Sequence, residues 1–136
     1  FSVRPPELAA DHPTHPRNDS RYSGVPNLPG AESLADTLIR VRAWWHEALV
    51  PLLRTDQCVL VVAHGNSLRA LAKLLEHLSE EEILEFNIPT GIPMVYRLDE
   101  HFIVLNRRFL ANNAKLKAAV NEVRNQACAK QGDHSG

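Results

Sequence analysis

The run Cys58-Val59-Leu60-Val61-Val62-Ala63-His64-Gly65-Asn66-Ser67-Leu68-Arg69 changes character at His64. Before it, apolar and β-branched residues follow one another without alternation. A strand of that kind is apolar on both faces, which suits the interior of a parallel sheet covered by helices. After it, Leu68, Leu71, Leu74, Leu75 and Leu78 form the stripe of an amphipathic helix. His64 therefore stands where a buried strand ends and a helix begins, and α/β sheets bind ligands beyond the carboxyl ends of their strands. Gly65 allows close backbone approach or positive φ. The amides of Asn66, Ser67 and Leu68 would point outward at the positive end of the helix dipole, a setting that favours phosphate. A histidine beside them can donate a hydrogen bond to a phosphoryl oxygen or exchange a proton. The same letters also fit an ordinary turn with Asn66 or Ser67 as N-cap.

Upstream, Leu34, Leu38, Val41, Trp45, Leu49 and Leu52 recur at spacings of three and four, one face of a helix that Pro51 bends or ends. Ser33 is its N-cap, with Asp36 in the capping-box position. Adjacent Trp44 and Trp45 divide, one inward and one outward. Downstream, Ser79 and Glu82 open a short helix to about Phe86, and Ile88-Pro89-Thr90-Gly91-Ile92-Pro93 is a punctuated connection. Met94-Val95-Tyr96-Arg97-Leu98 and Phe102-Ile103-Val104-Leu105 form a hairpin across Asp99-Glu100-His101. A last helix runs from Asn113 with Leu116, Val120, Val123 and Ala127 on one side, and residues 130–136 are a polar, disordered tail. The pattern is α/β and layered. One parallel-type strand makes no parallel sheet, so its neighbours must come from elsewhere.

Six of the nine prolines fall in the first 31 residues, which have no sustained period. The chain begins at Phe1 with neither a basic n-region nor an apolar h-region. We expect a cut chain whose upstream partner is missing. The 136 residues fit one domain, with 44% hydrophobic and 23% charged residues, which excludes bulk disorder. A net charge of -1 gives no field favouring nucleic acid or a membrane surface. No apolar run approaches the roughly 18 residues of a membrane span. Cys58 and Cys128 are too few and too distant for a disulfide framework. Cys58 reads as a buried small hydrophobe, which suits a reducing cytoplasm.

Ala63-His64-Gly65-Asn66-Ser67-Leu68-Arg69-Ala70-Leu71 resembles the second-histidine motif of the cofactor-dependent phosphoglycerate mutases, in the histidine phosphatase superfamily. Three further blocks agree in order and spacing. Phe1 to Leu8 resembles the segment after the family's arginine clamp, and Glu32 to Thr37 the start of the next helix. Ser79 to Glu85, followed by Asn87 to Pro93, is similar to the most recognisable stretch of the family's C-terminal half. The resemblance extends to about Ala111.

It implies part of a three-layer α/β/α phosphoglycerate mutase-like fold lacking its N-terminal strands and helices. Residues 1–31 would be a substrate-side loop and residues 32–129 the C-terminal part of the domain. It also implies an isomerase of glycolysis and gluconeogenesis that interconverts 3-phosphoglycerate and 2-phosphoglycerate through a phosphohistidine. The primer would be 2,3-bisphosphoglycerate, with no metal, in a cytoplasmic homodimer or homotetramer. His64 matches the histidine that stabilises the phosphoryl group in flight, and Gly65 and Asn66 match substrate-phosphate contacts. A histidine phosphatase that hydrolyses phosphoesters and a non-catalytic anion-binding module are the alternatives.

The chain contains no Arg-His-Gly sequence, so the family's nucleophile is absent, and its acid/base glutamate and arginine clamp would also lie upstream. The chain alone is therefore expected to be inactive. Arg107-Arg108 reads as a solvated strand end. His46, His77 and His101 read as structural or solvated. His12 and His15 lack the further ligands a metal site needs.

Overall fold

The computed structural model describes residues 1–26 and 28–129. Helix α1, Leu34–Trp44, opens on the expected capping box. Ser33 Oγ accepts the Asp36 N–H at 3.2 Å, and Asp36 Oδ2 accepts the Ser33 N–H at 2.9 Å. The helix does not stop before Pro51. It widens into a π turn, Trp45–Leu49, and continues as α2, Val50–Leu53. Proline has no N–H to donate, and its ring crowds the carbonyl four residues back, here that of Glu47. A widened turn just before it relieves that crowding. The extra residue also rotates the helix face. Val50 and Leu53 turn to the core in place of the expected Leu52, which is 46% exposed.

The core is built on Trp45, Leu49, Val50 and Leu75, ringed by Leu71, Leu74, Tyr96, Leu98, Phe102 and Val104 among others. Helix α3, Gly65–Glu76, packs along α1 and buries Ala70 and Ala72, two of the smallest side chains on it. Helix α4, Glu80–Glu85, carries the Ser79/Glu82 capping box and sinks Ile83 completely. The connection beyond it is anchored by buried Pro89 and Ile92. Gly91, at φ 74°, takes the left-handed position of its turn without the cost a Cβ would add.

Strands β1, Met94–Leu98, and β2, Val104–Phe109, pair antiparallel with Met94 opposite Phe109 and a bulge at Arg97/Leu98. The second strand starts later than the sequence implied, because Phe102 belongs to the turn at φ 63°. Asp99 organises that turn, its Oδ1 accepting the N–H groups of His101 at 2.9 Å and Ile103 at 2.8 Å. The Phe102 ring stands edge-on to Trp45 at 6.0 Å, and this packing holds an aromatic residue in a conformation it otherwise avoids. Helix α5, Asn113–Ala129, follows; the expected tail, 130–136, lies outside the described residues.

The expected inner strand is the main departure. Cys58–Ala63 is unpaired, and the described residues hold a single two-stranded sheet, β1-β2. No hydrogen bond joins the backbone of Cys58–Ala63 to another described residue. Val59 and Val61 pack on the core, whereas Leu60 is 83% and Val62 85% exposed. Cys58, expected buried, is exposed for the same reason: no described residue covers the outer side. The architecture shown is mixed α/β.

The proline-rich opening is more ordered than its composition implied. It forms single 3₁₀ turns at Pro16–Asn18 and Ser20–Tyr22. Arg4 grips Asp36 through two hydrogen bonds of 2.7 Å, the Phe1 carbonyl accepts the Ala35 N–H, and the Lys73 ammonium sits 4.9 Å from the Phe1 ring centre.

Candidate functional site

His64 is the N-cap of α3, with extended backbone at φ -63° and ψ 148°. Its Nδ1 accepts the Asn66 N–H at 3.4 Å, and its carbonyl accepts the Leu68 N–H at 3.1 Å. A neutral imidazole that accepts at Nδ1 carries its proton on Nε2, which makes that nitrogen a donor. Two of the three amides expected to be free are thus engaged by His64 itself. Those of Gly65 and Ser67 have no acceptor among the described residues. His64, Gly65 and Asn66 are all exposed, on the positive end of a twelve-residue helix.

Gly65 does not need its conformational freedom here. Its φ is not positive, and a Cβ added there would meet nothing within 4 Å. Of the two uses the sequence offers for Gly65, positive φ is not the one taken, and the protein leaves room above it that a ligand could occupy.

The sequence marks Arg69 only as part of the motif, and the structure gives it definite partners. Its guanidinium donates to the carbonyls of Ile83 at 2.5 Å and Phe86 at 2.9 Å, at the carboxyl end of α4. Its Nη1 approaches Asn66 Oδ1 at 3.5 Å. Partial burial pulls its pKa down from the usual arginine value. The available signal was spacing, since residues three apart on a helix are neighbours.

An open hollow of about 400 Å³ lies between α1, α3 and the segment before His64, lined by Trp44, Val61, Val62, Ala63, Ser67 and Leu71 among others. A second, of about 440 Å³, follows the outer face of α1 and holds none of the motif residues. His64 lines neither, and stands on an open ledge.

Arg107 is not simply solvated. It donates to both Glu76 carboxylate oxygens, at 2.9 and 3.0 Å, and lies 4.9 Å above the Phe86 ring. The Tyr96 hydroxyl donates to the same carboxylate, and burial with that bond pushes the tyrosine pKa up. This network ties α3 to the hairpin, and its members are too far apart in sequence to have been paired by spacing.

The remaining histidines have structural settings. His12 and His15 each accept a local backbone N–H at Nδ1, from Thr14 and Arg17. His77 is the left-handed C-cap of α3, His46 is exposed on its helix, and His101 sits in the hairpin turn. Trp45 is buried and Trp44 exposed, as their adjacency requires. Among the described residues no group of three or more His, Cys, Asp or Glu side chains could hold a metal ion, and no helix is long and apolar enough to cross a membrane.

A strand-like segment ending in histidine, a helix that begins at the next residue, and the helix and hairpin beyond them are the parts a family comparison must explain. The model of the histidine phosphatase superfamily (branch 1) matches residues 3–109, which span all of these elements. The chain belongs to that superfamily, whose members are typically phosphatases and mutases acting by phosphoryl transfer or hydrolysis.

Proposed function

We propose that His64 is the charge-stabilising histidine of a phosphohistidine mutase. The complete enzyme interconverts 3-phosphoglycerate and 2-phosphoglycerate, with 2,3-bisphosphoglycerate as primer. The observation that carries this reading is the place of His64, whose Nδ1 accepts the Asn66 N–H, beside the unengaged Gly65 and Ser67 amides at a helix start. A phosphoryl group in flight spreads negative charge over three oxygens, and catalysis depends on donors already aimed at that charge. His64 and the amides behind it provide such donors at the first turn of a twelve-residue helix. Gly65 and Asn66 contact the substrate phosphate.

Superfamily membership supports phosphoryl transfer or hydrolysis, and the narrower mutase reading rests on the likeness of Ser79 to Pro93 and of the proline-rich opening. With no Arg-His-Gly sequence in these 136 residues, the nucleophile comes from sequence outside them. The same sequence would supply strand partners for Cys58–Ala63, making it an inner strand of a three-layer α/β/α fold. It would also cover the His64 ledge, excluding the water that turns transfer into hydrolysis. We place this enzyme in the cytoplasm as a homodimer or homotetramer.

The test joins this chain to an N-terminal half that carries an Arg-His-Gly motif and supplies 3-phosphoglycerate with primer. Isomerisation faster than phosphate release supports the mutase. Predominant phosphate release identifies a phosphatase, and phosphate binding without turnover identifies an anion-binding module.

A further inference from the structure

Asn66 has an ambiguity that His64 lacks. Its amide carries an acceptor oxygen on one side and a two-proton donor on the other, and either can face a ligand. Only the donor side suits an anion. Nothing in the backbone of α3 selects it, because an exposed asparagine turns freely about its last torsion.

Arg69 removes that freedom. The guanidinium is fixed first by its two bonds to the Ile83 and Phe86 carbonyls, which accept from Nη2 and Nε at 2.5 and 2.9 Å. These bonds cap the carboxyl end of α4 and leave Nη1 aimed back along α3. There it meets Asn66 Oδ1 at 3.5 Å. The contact is long, yet its sign is unambiguous: a guanidinium N–H attracts the amide oxygen and repels the amide protons. With Oδ1 turned to Arg69, Nδ2 faces away from it, as a donor.

We propose that Arg69 is a positioning residue that sets the orientation of the Asn66 amide, so that its Nδ2 donates to the anion held at the His64 turn. The proposal deepens the reading of that turn as a phosphate site and rests on it. Arg69 does not touch the anion. Its charge is spent on α4, and its effect on binding passes through Asn66. The arrangement also couples the site to the connection that begins at Phe86, since a shift of the α4 end would move the guanidinium and release the amide.

The experiment uses the 136-residue chain with inorganic phosphate as probe. Nitrogen-15 NMR follows the Asn66 side-chain amide, and phosphate titrations give affinities for the parent, R69M, N66A, H64A and the R69M/N66A double variant. In the parent, the Asn66 amide resonances shift as phosphate is added. R69M weakens phosphate binding and moves the Asn66 amide signal before phosphate is added. In the N66A background the same R69M change has no further effect on affinity. R69K, which keeps a cation but loses the fork, restores less than half of the loss. Equal weakening by R69M with and without Asn66 overturns the proposal, because Arg69 then acts through its charge or the fold. An Asn66 signal indifferent to R69M overturns it too, whether or not phosphate binds. Failure of the underlying site is read separately: an affinity unchanged by H64A sinks the phosphate turn, while the response of Asn66 to R69M still decides the orienting contact. Should R69M unfold, R69K together with the amide signal of the folded variant decides the same question.

Discussion

Replacing Leu60 and Val62 together with threonine tests whether the outer side of Cys58–Ala63 is bare in solution. Fully burying a leucine or valine side chain contributes about 1.5–3 kcal/mol. Leu60 is 83% and Val62 85% exposed, so only about a sixth of that is at stake at each position, about 0.3–0.5 kcal/mol. Threonine keeps the β-branched preference for extended backbone, so the pair should cost less than about 1 kcal/mol. Leu49→Ala, at a core position only 4% exposed, is the internal comparison and should cost about 2–5 kcal/mol. Urea unfolding followed by tryptophan fluorescence measures both, because Trp45 lies in the core beside Leu49. The measurement is run at two protein concentrations a hundredfold apart. An unpaired apolar edge is where a second copy would pair, so if the edge is bare the parent and the double variant should sediment alike as monomers. A loss above about 2 kcal/mol in the double variant, or a parent midpoint that rises with concentration, would show that a second copy covers this edge. In the completed enzyme the expectation reverses: with strands on both sides, the same pair of changes should approach the cost of a core substitution.

His64→Ala in that completed enzyme should remove about 2.7–4 kcal/mol of transition-state stabilisation while shifting the unfolding midpoint by no more than a lost cap does, about 1 kcal/mol; loss of fold with retained specific activity would reverse the assignment. Glu76→Ala strands the Arg107 guanidinium and the Tyr96 hydroxyl in a partly buried place, and should cost about 1–3 kcal/mol in urea unfolding, against near-neutrality if the network is ornamental. Phe102→Gly relieves about 1 kcal/mol of left-handed strain but forfeits the ring against Trp45, so stability should fall; a rise would mean the ring contributes little. Arg21 holds the Asp19 carboxyl down at about 2, so carboxylate NMR should place its midpoint there. A depressed pKa stabilises the fold above the unfolded value, and that share is lost as pH falls from about 4 through about 2; a midpoint near 3.8 would dissolve the ion pair.

Local signals in the sequence are legible where the physics is local. Both capping boxes, the start of α3 at His64, the hairpin and the split of Trp44 from Trp45 follow from spacings within a few residues. Pro51 shows the first limit. Its conflict with the preceding turn was evident, but the chain resolved it by widening the helix, and that moved Leu52 out of the core and Leu53 in. Phe102 shows the second, since tertiary packing on Trp45 overrode an aromatic residue's preference for a strand. The candidate site divides along the same line. His64, Gly65 and Asn66 are contiguous and were legible, whereas Arg69 earns its role from carbonyls 14 and 17 residues away. The deepest mismatch is the most informative. Cys58–Ala63 has the composition of a strand buried on both faces, yet among the described residues it pairs with nothing and forms no strand. Its inner side chains found the core and its backbone groups found nothing. A buried strand needs both, because unpaired donors and acceptors are tolerable only in water. The segment that carries His64 to its place is therefore supported through its side chains on one side only. On the function proposed above, strands pairing with it would hold His64 in place and cover the ledge at once, so completing the sheet and completing the proposed site would be the same structural event.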